Sequence, residues 1–307
     1  MNSVHDIIII GGGPAGYTAA LYSARAGLDV VLTEKAAAGG QMALTGTIDN
    51  YPGFEDGIDG FTLGMKMQKC AERFGAKTEN TEVISVDFSD RVKKVNTAKN
   101  TLLGKAVIIA TGASPRELGT DGERELVGRG VHYCAHCDGR FYKGKTVIVV
   151  GGGNSAVSDA LYLSNIAEKV YLVHRKDTLR ASKIYADAVF EKENIEFLKS
   201  SVIDSFIVDE KLSGARIKDI SSGEMTEKKC DGVFVSIGRK PASEFLENAV
   251  MIDKNGYIVA DESTQTNVSG VFAAGDVRTK NLRQIVTAVS DGAVAADEAE
   301  KYLSKEK

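Results

Sequence analysis

A glycine triplet that follows an apolar strand occurs twice in this chain, in register. HDIIIIGGGPAG (residues 5–16) is matched by KTVIVVGGGNSA (145–156), so Gly11, Gly12 and Gly13 correspond to Gly151, Gly152 and Gly153 at an offset of 140. The offset continues without a gap, because DVVLTEK (29–35) aligns with KVYLVHR (169–175). Each copy reads as an apolar strand, a glycine turn, a helix rich in small residues (14–27 and 154–167) and a second strand. In a dinucleotide-binding unit the first glycine permits a tight turn and the second lets backbone N–H groups approach a pyrophosphate. The third allows close helix–strand packing. The helix start then meets the diphosphate with its positive dipole end. Ala156 stands at the third position of the second copy. One copy is a weak signal. Two in register make the expected fold class α/β, with two Rossmann-like dinucleotide-binding domains of three-layer type around parallel central sheets.

The copies differ where an adenosine ribose is read. Glu34 ends the second strand of the first copy, where a carboxylate accepts from a ribose 2'-hydroxyl and repels a 2'-phosphate. At the same offset stands His174, followed by Arg175, Lys176 and Arg180. Guanidinium groups bind phosphate through paired donors. The first copy is therefore expected to hold an unphosphorylated adenosine, as in FAD or NAD, and the second NADP(H). A solvated basic turn is the plainer reading of HRKDTLR.

At 307 residues the chain has room for roughly two domains. Its 32 glycines against 4 prolines fit neither a collagen repeat nor a linker. The 38 basic and 42 acidic residues lack the surplus expected of a nucleic-acid binder. No apolar run approaches the ~18 residues needed to span a bilayer, and MNSVHDIIII has no basic leader region. A cytoplasmic protein without nucleic-acid or membrane partners is expected. Four cysteines are too few for a disulfide scaffold. Cys134 and Cys137 form a CxxC in HYCAHCDGRFY (132–142), whereas Cys70 and Cys230 stand apart and are expected to be buried thiols. Structural zinc needs four ligands; His132 and His136 would complete a set only on paper, so no metal is expected. A thiol–disulfide couple is favoured by the neighbouring acid Asp138, which can pass a proton to a departing thiolate. Asp138 also suits a turn before Gly139. His136 favours a thiolate when protonated, or is an exposed loop residue.

Two dinucleotide units with a CxxC at the start of the second resemble the low-molecular-weight thioredoxin reductases of prokaryotes, over essentially the whole chain. GGGPAG (11–16), GGQ (39–41), DNYPG (49–53) and ATGA (110–113) resemble the flavin-domain motifs of that family. CAHCDG (134–139) resembles its redox site, where Thr more often stands at position 136. GGGNSA with HRKDTLR resembles its NADPH site, with Lys176 in place of the usual Arg, which keeps the charge and loses the fork. GVFAAGDV (270–277) and RQIVTAVSDGAVAA (283–296) complete the order.

The resemblance implies a discontinuous FAD-binding domain, 1–114 and 245–307, and an inserted NADPH-binding domain, 115–244, that carries the redox pair. Hinges are expected near 113–116 and 241–245, where Pro115 and Pro241 lie. FAD is expected at Gly11, Gly13, Pro14, Ala15 and Gly16, at Glu34 and Lys35, and at Gly40, Gln41 and Asn50. Further FAD positions are Ala110, Thr111 and Gly112, then Gly275, Asp276, Arg283, Gln284 and Ile285. Asp276 would bind the ribityl chain, and the helix beginning near Arg283 would aim its N-terminus at the pyrimidine edge of the flavin. NADPH is expected at Gly151, Gly153, Asn154, Ser155 and Ala156, at His174, Arg175, Lys176 and Arg180, and at Ile237, Gly238 and Arg239. The implied activity runs from NADPH to FAD, to the Cys134–Cys137 disulfide with Asp138 handling the proton, and on to thioredoxin, in a homodimer. Which cysteine faces the flavin is open. Arg129 resembles a position near the partner surface. The same residues also suit a disulfide oxidoreductase acting on a small molecule or another redoxin, and a redox sensor that does not turn over.

Overall fold

The computed structural model describes residues 3–305. Its α-helices are α1 (Pro14–Arg25), α2 (Gly60–Glu72), α3 (Ala135–Asp138), α4 (Asn154–Ser164), α5 (Lys183–Phe190) and α6 (Ile285–Lys305). The chain forms two compact units. One joins the described residues up to Ser114 with those from Lys240 onward, and the other is Pro115–Arg239. The return to the first unit comes ahead of the expected 245, because the Ala242 N–H donates to Gly112 O and Thr111 Oγ1 donates to Ala242 O at 2.7 Å.

In the first unit a seven-stranded sheet runs Lys77–Asn80, Val30–Glu34, Val4–Ile10, Thr101–Ile109, Lys93–Thr97 and Val83–Asp87, with Val271–Ala273 also paired to Thr101–Ile109. Its centre is parallel, with Ile9 opposite both Leu32 and Ile108, while the 83–104 meander is antiparallel. The run of four isoleucines does not alternate with polar residues because both faces of this strand are covered. Ile7 and Ile9 pack with Tyr17 of α1 and Ala295 of α6, and Ile8 and Ile10 pack with Phe88, Val95 and Ile258. A Cβ on Gly292 would fall 2.2 Å from Ala15 O, so only glycine lets α6 lie this close to α1.

The second unit has a wholly parallel sheet, ordered Val131–His132, Gly232–Val235, Thr146–Val150, Lys169–Val173 and Ile195–Leu198. Val147 and Val149 pack on Val157, Ala160 and Leu163 of α4. Ile148 and Val150 face the other way, onto Ile203, Ala215 and Ile217 of a three-stranded antiparallel sheet. Helices, parallel sheet and antiparallel sheet make the three layers.

Cys70 departs from expectation: it is exposed. The buried stripe of α2 is Gly60, Leu63, Gly64 and Ala71, and position 70 lies about 100° around the helix from the last of these. Cys230 is buried, and burial pushes its thiol up to about 12, which leaves it unreactive. Among the described residues, no helix is long and apolar enough to cross a membrane.

Candidate nucleotide and redox sites

In the first unit Gly11 turns the chain at φ 108°, and a Cβ on Gly16 would fall 1.8 Å from Gly11 O. The helix can meet the strand this closely only without a side chain at 16. No side chain caps the start of α1, and Gly13, its N-cap, would have no atom within 4 Å of an added Cβ. Backbone donors beside empty space are what an anionic diphosphate needs. Glu34 folds over this turn: its Oε2 accepts from the Gly12 N–H at 2.7 Å and its Oε1 from the Ala36 N–H at 2.8 Å. Each carboxylate oxygen keeps a further lone pair for a ribose hydroxyl.

Segments far apart in sequence converge on the same turn. A Cβ on Gly275 would come within 2.9 Å of Ala15 Cβ, and one on Gly40 within 3.5 Å of Gly13 Cα. Ala110 donates its N–H to Ile10 O, next to Gly11. Asn50 Nδ2 donates to Gln284 Oε1 at 3.1 Å, just before α6 begins at Ile285. Arg283 donates to Asp276 O and Arg278 O, and its guanidinium lies 4.1 Å from the centre of the Tyr257 ring. Lys35 instead reaches outward to Glu82 at 3.4 Å, on the surface.

The second unit repeats the turn. Gly153 is the N-cap of α4, no side chain caps that helix, and a Cβ on Gly153 would meet nothing within 4 Å. A Cβ on Gly152 would lie 2.4 Å from the His174 ring, so the imidazole packs flat under the turn. Burial, then the charges of Arg180, Arg175 and Lys176, lower the His174 pKa and keep it neutral. Its buried Nε2 has no hydrogen-bond partner among the described residues. Arg175, Lys176 and Arg180 are exposed, and the Arg180 N–H donates to Gly152 O at 2.6 Å. This ties the basic loop to the glycine turn. Asn154 Oδ1 accepts from the Ser182 N–H, Ser155 is exposed and Ala156 fully buried. Ile237 and Gly238 are exposed, and Gly238 O accepts from the Arg116 N–H. Arg239 O accepts weakly from Arg116 Nε at 3.5 Å.

Cys134 and Cys137 are joined as a disulfide, with Cα atoms 5.3 Å apart. Cys134 is the N-cap of α3, and its Sγ accepts from the Cys137 N–H at 3.2 Å. Asp138 closes the same short helix. Its Oδ2 lies 3.0 Å from Nδ1 of buried His132, and His132 Nε2 lies 2.6 Å from the Tyr142 hydroxyl. The ring of His136 lies 4.2 Å from that of Tyr162 on α4. Among the described residues, no group of three His, Cys, Asp or Glu is set to hold a metal ion.

Residues 5–292 match the family described as pyridine nucleotide-disulphide oxidoreductase. A thioredoxin reductase of Listeria monocytogenes is 46% identical over 303 residues, covering 98% of this chain and 95% of the relative. The solved thioredoxin reductase of Streptococcus pyogenes superposes with a TM-score of 0.93 at 42% identity, over 99% of this chain and 100% of its own. The chain belongs to the thioredoxin reductase family. A third likeness, to the thioredoxin reductase of Giardia duodenalis, has a TM-score of 0.94 at 38% identity, over 99% of this chain and 100% of that one. The chain is thus an oxidoreductase with a disulfide redox centre.

Two groups in this family member carry no motif. The Asp138–His132–Tyr142 chain depends on a residue pairing that only the fold creates. The second is a buried ion cluster in the first unit. Asp291 on α6 accepts from Arg278 through both oxygens, at 2.8 and 2.9 Å, and from Lys280 at 2.8 Å. It also accepts from the Gly275 N–H at 2.9 Å. Burial raises the Asp291 pKa, but the bonds from Arg278 and Lys280 outweigh it and hold the carboxyl below its usual value. This cluster fixes the Gly275–Asp276 turn against α6.

Proposed function

We propose that this chain is an NADPH-dependent thioredoxin reductase that holds FAD at the Gly11–Gly16 turn and NADPH at the Gly151–Ala156 turn. The observation that carries this reading is the disulfide at Cys134–Cys137, with an acid in the same helical turn and on the same unit as the basic nucleotide loop. Relatives named as thioredoxin reductases supply the partner, thioredoxin. The cytoplasm is the proposed compartment and a homodimer the proposed assembly.

Both turns fit a dinucleotide, since each leaves an uncapped helix start beside open space. Glu34 would accept from an unphosphorylated ribose, whereas Arg175, Lys176 and Arg180 would grip a 2'-phosphate. Gly40, Gln41, Asn50, Ala110, Thr111, Gly112, Gly275, Asp276, Arg283, Gln284 and Ile285 would line the rest of the FAD site. His174, Ile237, Gly238 and Arg239 would do so for NADPH. When bound, FAD supplies the two-electron relay between nicotinamide and disulfide.

The protein's own part is thiol chemistry. Reduction breaks the Cys134–Cys137 bond and leaves one sulfur as a thiolate, to which Asp138 delivers a proton. The Cys137 N–H at Cys134 Sγ favours the thiolate on that residue. A thiolate of the reduced pair then attacks one sulfur of the thioredoxin disulfide. A mixed disulfide forms and the other thioredoxin sulfur leaves and takes a proton. The second cysteine attacks the mixed disulfide, re-forms Cys134–Cys137 and releases thioredoxin as a dithiol. A steady-state comparison of NADPH with NADH, and of thioredoxin with small disulfides, tests this reading. Efficient turnover is expected only for NADPH with thioredoxin. Preference for a small disulfide would replace the thioredoxin assignment.

A further inference from the structure

Asp138 does not act from an isolated side chain. Its Oδ2 is 3.0 Å from His132 Nδ1, and both ring nitrogens of His132 are engaged, because Nε2 lies 2.6 Å from the Tyr142 hydroxyl. The imidazole is buried at 7% exposure and clamped between rings. It stacks on Phe234 at 5.2 Å and meets Tyr142 edge-on at 5.2 Å. We propose that His132 is the positioning residue for the redox acid: its Nδ1–H fixes the Asp138 carboxyl and stabilises the carboxylate left when Asp138 gives its proton to a departing thiolate. This rests on the reading of Cys134–Cys137 as the working disulfide.

The proton count closes within the three residues. In the form that delivers the proton, Asp138 carries it on its other oxygen, while Oδ2 accepts from His132 Nδ1–H and Nε2 accepts from the Tyr142 hydroxyl. As the S–S bond breaks, its electron pair goes to the departing sulfur and the Asp138 proton follows. What remains is a carboxylate accepting from Nδ1–H and a neutral imidazole whose Nε2 accepts from Tyr142. Every hydrogen bond survives the transfer, so the ring need not turn.

Tyr142 is suited to the outer place. Burial, then the charge of Asp138, pushes its hydroxyl up to about 12, so it stays protonated and can always donate. The other charged and titratable groups at this cluster are Asp231 and Cys230 near Tyr142, and Lys145, whose ammonium lies 5.3 Å from the Tyr142 ring centre. No motif singles out His132; its place in the first strand of the parallel sheet, opposite Phe234, puts it under α3.

The test uses two rates on the full-length protein: thioredoxin turnover with NADPH, and direct reduction of the Cys134–Cys137 disulfide by dithiothreitol. The second requires neither nucleotide nor thioredoxin, so it separates failure of this inference from failure of the proposed function. His132→Asn keeps an amide donor but loses the ring clamp and the Tyr142 link that fix that donor on Asp138. It should lower both rates by about tenfold, with the KM for thioredoxin unchanged. Adding it to Asp138→Asn should slow neither rate further, since the two act as one unit. Multiplicative losses in the double variant, or an effect of His132→Asn on KM alone, would overturn the proposal. If His132→Asn fails to fold, Tyr142→Phe keeps the ring and removes only the outer hydroxyl. It should slow both rates by about threefold and add nothing to Asp138→Asn; wild-type rates in Tyr142→Phe would overturn the proposal as well.

Discussion

Removing Asp291 should cost more than removing any other single charge described above. Its carboxylate serves Arg278, Lys280 and the Gly275 N–H at once, with every contact between 2.8 and 2.9 Å. In Asp291→Ala, Arg278 stays buried at 2% exposure, and the nearest remaining carboxylate is Glu262, 3.9 Å away and 99% exposed. Breaking a buried pair from one side costs about 3–5 kcal/mol, because the cation left behind is neither solvated nor paired. For a unit of this size that corresponds to a drop of roughly 10 °C in melting temperature. The pH dependence follows from the same contacts. The folded Asp291 carboxyl lies below its usual value, so its contribution is complete above about pH 4 and is lost as pH falls through the lowered folded value. Thermal melts of wild type and Asp291→Ala at pH 7 and pH 3 should therefore converge at the acid end. A difference under about 2 °C at pH 7, or a gap that does not narrow at pH 3, would refute the reasoning.

Three other outcomes are expected. Arg175→Ala with Arg180→Ala should raise the KM for NADPH by about tenfold or more, from lost charge-assisted bonds to the 2'-phosphate, while NADH kinetics change little. Equal losses with both nucleotides would remove that assignment. Gly16→Ala places a Cβ 1.8 Å from Gly11 O, so the purified variant should carry little bound flavin; a full complement of flavin would show that the turn tolerates the side chain. Gly152→Ala drives a Cβ into the His174 ring at 2.4 Å, and should weaken NADPH binding measured by titration without loss of flavin. Unaltered NADPH affinity would disconnect that turn from the nucleotide.

The duplicated turns were legible in the sequence because their constraints are local. A strand buried on both faces writes itself as IIII or VIVV, and a helix crossing close to a strand writes itself as glycine at 11, 16 and 151. The contrast of Glu34 with Arg175 and Arg180 was readable for the same reason: Glu34 ends the second strand of its copy, and Arg175 and Arg180 lie in the loop after the corresponding strand. Side-chain pairings between elements were not readable. Nothing in a single strand records that His132 would meet Asp138 and Tyr142, since that depends on how the strand at 131–132 sits under α3. Arg278 and Asp291 are thirteen positions apart, and only the fold of the turn onto α6 joins them. Cys70 was misread because an apolar helix segment shows its period clearly only once its buried face is known. The antiparallel meander at 83–104 alternates only weakly in the sequence, because few of its residues are fully buried.

The central claim is that electrons from NADPH reach thioredoxin only through Cys134 and Cys137. The most direct measurement is NADPH-driven thioredoxin reduction by wild type, Cys134→Ser and Cys137→Ser, read beside the bleaching of bound flavin by NADPH. Both variants should lose thioredoxin reduction entirely and still bleach on addition of NADPH. Continued thioredoxin turnover in either variant would contradict the account.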